Sequence, residues 1–78
     1  MKMFKTKDFY QAVILKTYGF KLIEIERKKI KFVVFVFDDS DNKAEEVIAN
    51  YWNHHLKLEV RDFVENISEL KSRIYSGV

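Results

Sequence analysis

Residues 27–39, "RKKIKFVVFVFDD", contain the pattern that decides the fold. A basic cluster comes first, an unbroken apolar run from Phe32 to Phe37 follows, and Asp38 and Asp39 end the stretch. A strand with one solvated face alternates apolar and polar residues, whereas this run is apolar on both faces. Such a strand needs cover on two sides. We therefore predict that residues 30–37 form the central strand of a small sheet.

A period of two divides this strand between two faces. One face would carry Ile30, Phe32, Val34 and Val36, and the other Lys31, Val33, Phe35 and Phe37. We expect the first face to pack on the first two helices. Two covers fit the second face: the third helix folded back across the sheet, or the same surface of a second copy. Val33, Phe35 and Phe37 are therefore candidates for a homodimer or partner surface.

Patterns before the central strand predict the first elements. Asp8 with Gln11 has capping-box spacing and Gly19 suits a left-handed C-terminal residue, so a first helix is expected over residues 7–18. "FKLIEIE" then indicates a half-exposed strand with Ile23 and Ile25 on one face, and "RKK" the short connection of a hairpin. "MKMFKT" is a candidate for a short first strand.

Two helices are predicted after the central strand. Asn42 with Glu45 has capping-box spacing, and a stripe at helical spacing follows: Ala44, Val47, Ile48, Tyr51 and Trp52. We expect Trp52 to be substantially buried. Another stripe, from Val60 to Ile74, predicts a third helix closed by Gly77. The chain is thus predicted to be an α+β domain of about three antiparallel strands and three helices, in the order β-α-β-β-α-α.

The composition indicates one globular domain, spanning residues 1–78. The chain has no Cys and no Pro, and 47% of its residues are hydrophobic, so a well-packed core must supply its stability. The lack of Cys and of a signal-peptide pattern favours a cytoplasmic location. No apolar run is long enough to span a bilayer, so no membrane partner is expected.

The charges divide the chain into two halves. Residues 1–37 carry nine basic and three acidic side chains, a net charge of +6, and residues 38–78 carry five basic and nine acidic, a net charge of −4. The basic hairpin supplies the candidate nucleic-acid-binding residues Lys21, Arg27, Lys28, Lys29 and Lys31. A second group, Lys71, Arg73 and Tyr75, is a candidate partner surface. Both groups also have a plainer interpretation, as lysines that deter edge pairing and as cations that complement a helix dipole.

No motif indicates catalysis, a cofactor or a small-molecule substrate. The sequence has no Gly-rich phosphate loop, nucleophile elbow or Cys–His pair. His54 and His55 are adjacent, but a zinc site needs three or four protein ligands and no other His or Cys is present. "DDSDN", residues 38–42, lacks the spacing of a calcium loop and suits helix caps. We expect a protein that is not an enzyme and binds no metal.

Five segments carry a resemblance to a known family: "TKDFYQA", "GFKLIEIER", "FVFDD", "ANYWN" and "ELKSRIYS". Together they resemble a small family of unknown function found in bacteria and their phages. The matching positions are Asp8, Gly19, Tyr51, Trp52, Asn53, Lys71, Ser72, Arg73 and Tyr75. The hairpin departs from the pattern, with "RKKIK" where a Gly would be comfortable. The resemblance implies one undivided domain and an association with phage or mobile-element genes, and it implies no activity.

Two classes of function fit these observations. The first is a small non-catalytic module that engages nucleic acid or a nucleoprotein through the basic hairpin. The alternative is a protein-interaction or homo-oligomerisation module with no nucleic-acid role. Salt separates them, because phosphate contacts weaken steeply with ionic strength and apolar burial does not.

Overall fold

The described residues of the protein form three strands and three helices. The computed structural model describes residues 2–29 and 32–75, with the backbone alone for Lys28 and Lys29. In chain order the elements are β1 (Met3–Thr6), α1 (Phe9–Tyr18), β2 (Leu22–Lys29), β3 (Phe32–Asp38), α2 (Ala44–Trp52) and α3 (Val60–Tyr75). The predicted α+β class and the order β-α-β-β-α-α are confirmed.

The sheet is antiparallel with the order β1-β3-β2, so β3 lies at its centre. The prediction of a central strand is confirmed over Phe32–Phe37, while Ile30, Lys31 and the predicted helix stop at Gly77 lie outside the described residues. Arg27 to Lys29 continue β2 and pair with β3. The prediction that "RKK" is the short connection of the hairpin was wrong. The apolar strand β3 pairs with this basic segment and so extends β2 through it.

All three helices contribute to a core on one side of the sheet, here termed the helix face. Phe35 and Phe37 on this face are 1% and 0% exposed, and they share a cluster with Leu15 of α1, Val47 of α2 and Leu70 of α3. We expected the first two helices on the opposite side. The larger Phe side chains instead supply the volume that packs between sheet and helices.

The opposite side, termed the open face, is covered by charged side chains of the edge strands. Val34 and Val36 are 7% and 0% exposed there. Lys5 of β1 lies opposite Val36, and Glu26 of β2 lies opposite Val34. The aliphatic stems of Lys5 and Glu26 cover the apolar surface of the two valines, while the charged groups stay in water. Further along β3, Lys7 Nζ lies 4.5 Å from the centroid of the Phe32 ring, a cation–π contact.

A β-bulge sets which side chains of β2 enter the core. Leu22 lies opposite Phe37, but Glu24 lies opposite Val36, so the intervening Ile23 is the extra residue. Leu22 and Ile25 consequently pack against the core while Ile23 is exposed. The expectation that Ile23 and Ile25 share a face was wrong, since one inserted residue reverses the alternation.

The helix ends follow the sequence at α1 and depart from it at α2. Asp8 caps α1 by accepting from Gln11 N–H at 3.1 Å, and Gly19 closes it at a φ of 117°. At α2 the predicted cap was wrong. The carboxylate of Asp39 accepts from Lys43 N–H at 2.8 Å and Ala44 N–H at 3.0 Å, because the chain folds back from the end of β3.

Trp52 is 63% exposed, so its predicted burial was wrong. Ala44 and Val47 carry the contact of α2 with the core, and the last turn of the helix extends past it. Leu56 and Leu58, from the loop after α2, pack against the core instead. The apolar stripe of α2 is therefore longer than the part of the helix that packs against the core.

Candidate functional site

The basic hairpin and the end of α3 are joined by Arg27. One guanidinium nitrogen, Nη2, donates to the carbonyl oxygens of Arg73 and Ile74, each at 3.0 Å. Arg27 lies opposite Val33 on β3, which places it on the helix face. The alternation of β2 therefore directs this arginine toward α3, and two basic groups that are far apart in sequence meet at one end of the molecule.

Arg27 has a structural role in this arrangement. The last carbonyl groups of a helix have no partner within it and carry the negative end of its dipole. A guanidinium donates to such carbonyls through its N–H groups and complements the negative end of the dipole with its positive charge. The contact therefore holds α3 against β2 without removing the positive charge of this end.

The basic end is defined here as Arg27, Lys28 and Lys29 of β2 together with Lys71, Arg73 and Tyr75 of α3. Lys71 and Arg73 are exposed, and Tyr75 is 81% exposed. Lys28 and Lys29 follow Arg27 in the backbone of β2. Lys31, the remaining hairpin cation predicted from sequence, lies outside the described residues. The structure thus unites the hairpin with residues predicted as a separate surface.

Lys21 does not belong to this end, which corrects its assignment to the hairpin group. Its carbonyl accepts from Asp38 N–H at 2.9 Å, where β2 begins and β3 ends. At about 3.3 Å per residue, Lys21 lies roughly 25 Å along the strand from Lys29. Its neighbours there are acidic, so Lys21 balances local charge.

The apolar residues predicted as a partner surface, Val33, Phe35 and Phe37, pack inside the protein instead. Phe35 and Phe37 are buried in the protein's own core, which corrects their assignment to a surface that meets a second copy. Val33 is partly buried and packs against the same core. The sequence left two covers open for this face, the third helix or a second copy, and in the structure residues of all three helices pack against it.

An acidic corner lies at the opposite end of β3. Asp38 accepts from the hydroxyl and the N–H of Ser40, and these hydrogen bonds, the one from the hydroxyl first, hold the pKa of Asp38 below its usual value of 3.8. Asp39 is buried, with Lys2 Nζ 3.9 Å from its Oδ2. These carboxylates serve turns, a helix cap and local charge pairs.

Within residues 2–29 and 32–75, no group of three or more His, Cys, Asp or Glu side chains is placed to hold a metal ion. His54 and His55 are exposed in the loop after α2, and His54 has a φ of 62°. Both therefore lie in a reversal of the chain.

The structure also reveals an apolar groove that sequence reasoning missed. It encloses about 390 Å³ between the end of α2, the following loop and the start of α3. Its lining residues are Ile14, Tyr51, His54, Leu56, Leu58, Val60 and Phe63. Trp52 at the end of α2 and Val64 in the second turn of α3 are also exposed. The signal for it was present in the long stripe of α2, which we interpreted as core.

No helix in the described part of the chain is long and apolar enough to cross a membrane. Among known proteins, neither a curated protein nor a solved structure matches the chain. A protein-family model matches residues 1–76, which confirms the resemblance to an uncharacterised family. The chain belongs to the family described as Domain of unknown function (DUF5659).

Proposed function

We propose that this protein is a small non-catalytic module that engages nucleic acid, alone or within a nucleoprotein, through the basic end. The observation that carries the proposal is the pair of hydrogen bonds from Arg27 to the carbonyls of Arg73 and Ile74. These bonds bring the cations of the hairpin and those of α3 to one end, where a single ligand can meet both.

The chemistry of this end suits a phosphate backbone. Lysine and arginine side chains neutralise phosphates and release bound counterions, which gives affinity without sequence preference. Tyr75 adds an exposed aromatic ring to this end, one helical turn after Lys71, and an unpaired base can stack on such a ring. The proposal therefore favours single-stranded or partly unpaired nucleic acid.

The distribution of charge supports an oriented approach. β3 runs from the basic end to Asp38, and Asp39 and Asp41 follow directly. The two ends are roughly 20 Å apart, since a strand rises about 3.3 Å per residue. A protein polarised in this way turns its basic end toward a polyanion during diffusional encounter.

A cytoplasmic location and an association with phage genes belong to the same proposal. The lack of Cys suits a reducing compartment, and nucleic acid is an accessible ligand there. Replicating mobile elements also present single strands. Both points support the proposed ligand through its availability.

Salt-dependent binding provides the test. We expect fluorescence anisotropy to detect binding of a labelled oligonucleotide at low salt and a steep loss of affinity between about 50 and 200 mM salt. Four or five phosphate contacts correspond to a slope of about −3 against the logarithm of salt for a single strand. The absence of binding to single strands and duplexes at low salt would contradict the proposal.

Matched neutralisations locate the surface. Lys71→Gln should weaken binding and reduce the magnitude of the salt slope by about 1. Lys43→Gln removes the same charge at the start of α2, near the acidic corner, and should leave affinity and slope nearly unchanged. Equal losses in the two variants would show that net charge, rather than the basic end, governs binding.

A second comparison tests the role of Arg27. Arg27→Gln and Lys28→Gln remove one charge each, and Arg27→Gln also breaks the hydrogen bonds to the carbonyls of Arg73 and Ile74. Affinity should therefore fall further in Arg27→Gln. Indistinguishable affinities would mean that the joining of hairpin and helix does not contribute to the site.

A further inference from the structure

The apolar groove lies beside side chains that a monomeric protein of this size would normally bury. Trp52 is 63% exposed, Val60 72%, Val64 54% and Tyr51 39%. Single exposed apolar residues are ordinary, but a contiguous group is typical of an interaction surface. The rings of Tyr51 and Trp52 lie 5.2 Å apart, so Trp52 stands directly beside a residue that lines the groove.

The exposed area is of the size that a small dimer needs. A fully exposed aromatic side chain presents roughly 150–250 Å², so the four residues together expose on the order of 400 Å² of apolar surface. A standard interface covers about 800 Å² on each partner, and somewhat more than half of it is apolar. With a polar rim, the groove and its edges meet this requirement.

The loop and helix segments that line the groove also carry exposed charges of both signs. Lys57 and Arg61 stand among Glu59, Asp62 and Glu65, and Arg61 Nε donates to Glu65 at 3.2 Å. A surface that pairs with a copy of itself must contain both partners of each contact. A site for a strongly basic or acidic peptide would instead carry a rim of one sign.

We infer that the occupant of the groove is a second copy of this chain, with Trp52 of each protomer entering the groove of the other about a two-fold axis. Knob and groove lie side by side, so one rotation satisfies both contacts. The groove volume of about 390 Å³ lies in the range of pockets that hold small ligands, and it has room for an indole ring.

This inference is independent of the nucleic-acid proposal, because the groove and the basic end use different residues. Oligonucleotide binding can fail while the dimer forms, and the dimer can fail while oligonucleotides bind. Failure of one proposal is therefore distinguishable from failure of the other.

The unmodified protein offers a direct test, since Trp52 is its only tryptophan. As concentration rises from low micromolar to millimolar, sedimentation equilibrium should show a monomer–dimer transition. Tryptophan emission should shift to the blue and acrylamide quenching should weaken over the same range. A monomer at every concentration, or a dimer whose tryptophan stays fully quenchable, would overturn the inference.

Two variants test the reciprocal contact. Trp52→Ala removes the knob and Val60→Arg obstructs the groove, and both positions are exposed enough for the fold to tolerate the change. Each should weaken the dimer roughly 30-fold or more. Tyr18→Ser removes another exposed aromatic, outside the groove, and should leave dimerisation unchanged. Parent-like association of Trp52→Ala, or equal weakening in all three, would overturn the inference.

Mixing the variants tests the two-fold exchange itself. Val60→Arg keeps its Trp52, and Trp52→Ala keeps an open groove, so a mixed dimer retains one of the two contacts. The mixture should associate more strongly than either variant alone, as followed by the blue shift of the remaining tryptophan. No gain on mixing would exclude reciprocal insertion.

Discussion

Lys5 and Glu26 reach over the central strand from opposite edges of the sheet and form an ion pair, with 3.4 Å between Lys5 Nζ and Glu26 Oε2. Val34 and Val36 lie beneath them and are almost inaccessible to water. Two flexible charged side chains thus do on the open face what three helices do on the helix face. The contribution of the stems and that of the charges can be separated by mutation.

Lys5→Met keeps an unbranched stem and removes the charge, so we expect a loss of less than about 1 kcal/mol in the free energy of unfolding. Lys5→Ser removes the stem and opens apolar surface to water, and should cost about 1–2 kcal/mol. Urea denaturation measures both. Equal losses of stability in the two variants would show that the ion pair, not the stem, protects β3.

Truncation to alanine should lower the free energy of unfolding more at Phe35 than at Trp52, although Trp is the larger side chain. Phe35→Ala leaves a cavity in the core and should cost about 3–5 kcal/mol. Trp52→Ala should cost less than about 1 kcal/mol at concentrations where the protein is monomeric, because its ring is largely in water. Thermal or urea unfolding gives both values.

Phe35→Lys distinguishes cover by the protein's own helices from cover by another copy. A lysine at this position would place an unpaired charge among the side chains of all three helices, so the variant should be unfolded at every concentration, as judged by circular dichroism. Recovery of structure at high concentration would indicate that a second copy contributes to this face.

Asp39 should be the most sensitive acidic residue of its corner. Asp39→Ala frees the N–H groups of Lys43 and Ala44 and should cost about 1–3 kcal/mol. Asp39→Asn keeps the accepting oxygen and should lie between this variant and the parent. Asp41→Ala, at an exposed position, is the control and should change stability by less than about 0.5 kcal/mol. A large loss in the control alone would refute the assignment of the cap.

Ser40→Ala should raise the pKa of Asp38 toward 3.8, because it removes the hydroxyl that lowers it most. The folded pKa is depressed, so the stabilisation from the carboxylate is complete above the pKa of the unfolded chain and disappears as pH falls through the folded pKa. An NMR titration of the side-chain carboxyl carbon reports the change. An unchanged pKa would place the cause in the hydrogen bond from the backbone N–H of Ser40 and in the charges around Asp38.

The elements predicted correctly are those with strong local signals. The run from Phe32 to Phe37 has too much apolar surface for an edge, and Asp8, Gln11 and Gly19 mark both ends of α1. Such signals act within a few residues. They therefore specify an element before its neighbours are known.

The candidate site was only partly predictable, because its parts are brought together by tertiary contacts. The bulge at Ile23 changes which side of β2 faces the helices, and nothing in "LIEIE" marks it. The contact between Arg27 and the end of α3 joins residues more than forty positions apart. The exposure of Trp52 depends on how far α2 extends past the core, which periodicity does not report.

β3 depends on β1, the shortest strand of the sheet, because β1 carries the Lys5 side chain that covers the open face. β1 has four residues and pairs Thr6 with Phe35, so its docking closes a long loop and should form late during folding and open early in native-state hydrogen exchange. When it leaves, Lys5 leaves with it, and "FVVFVF" loses hydrogen bonds and shielding in one event. That segment has the composition of an amyloid-forming stretch. Partial opening at β1, rather than global unfolding, is therefore where aggregation of this protein should begin.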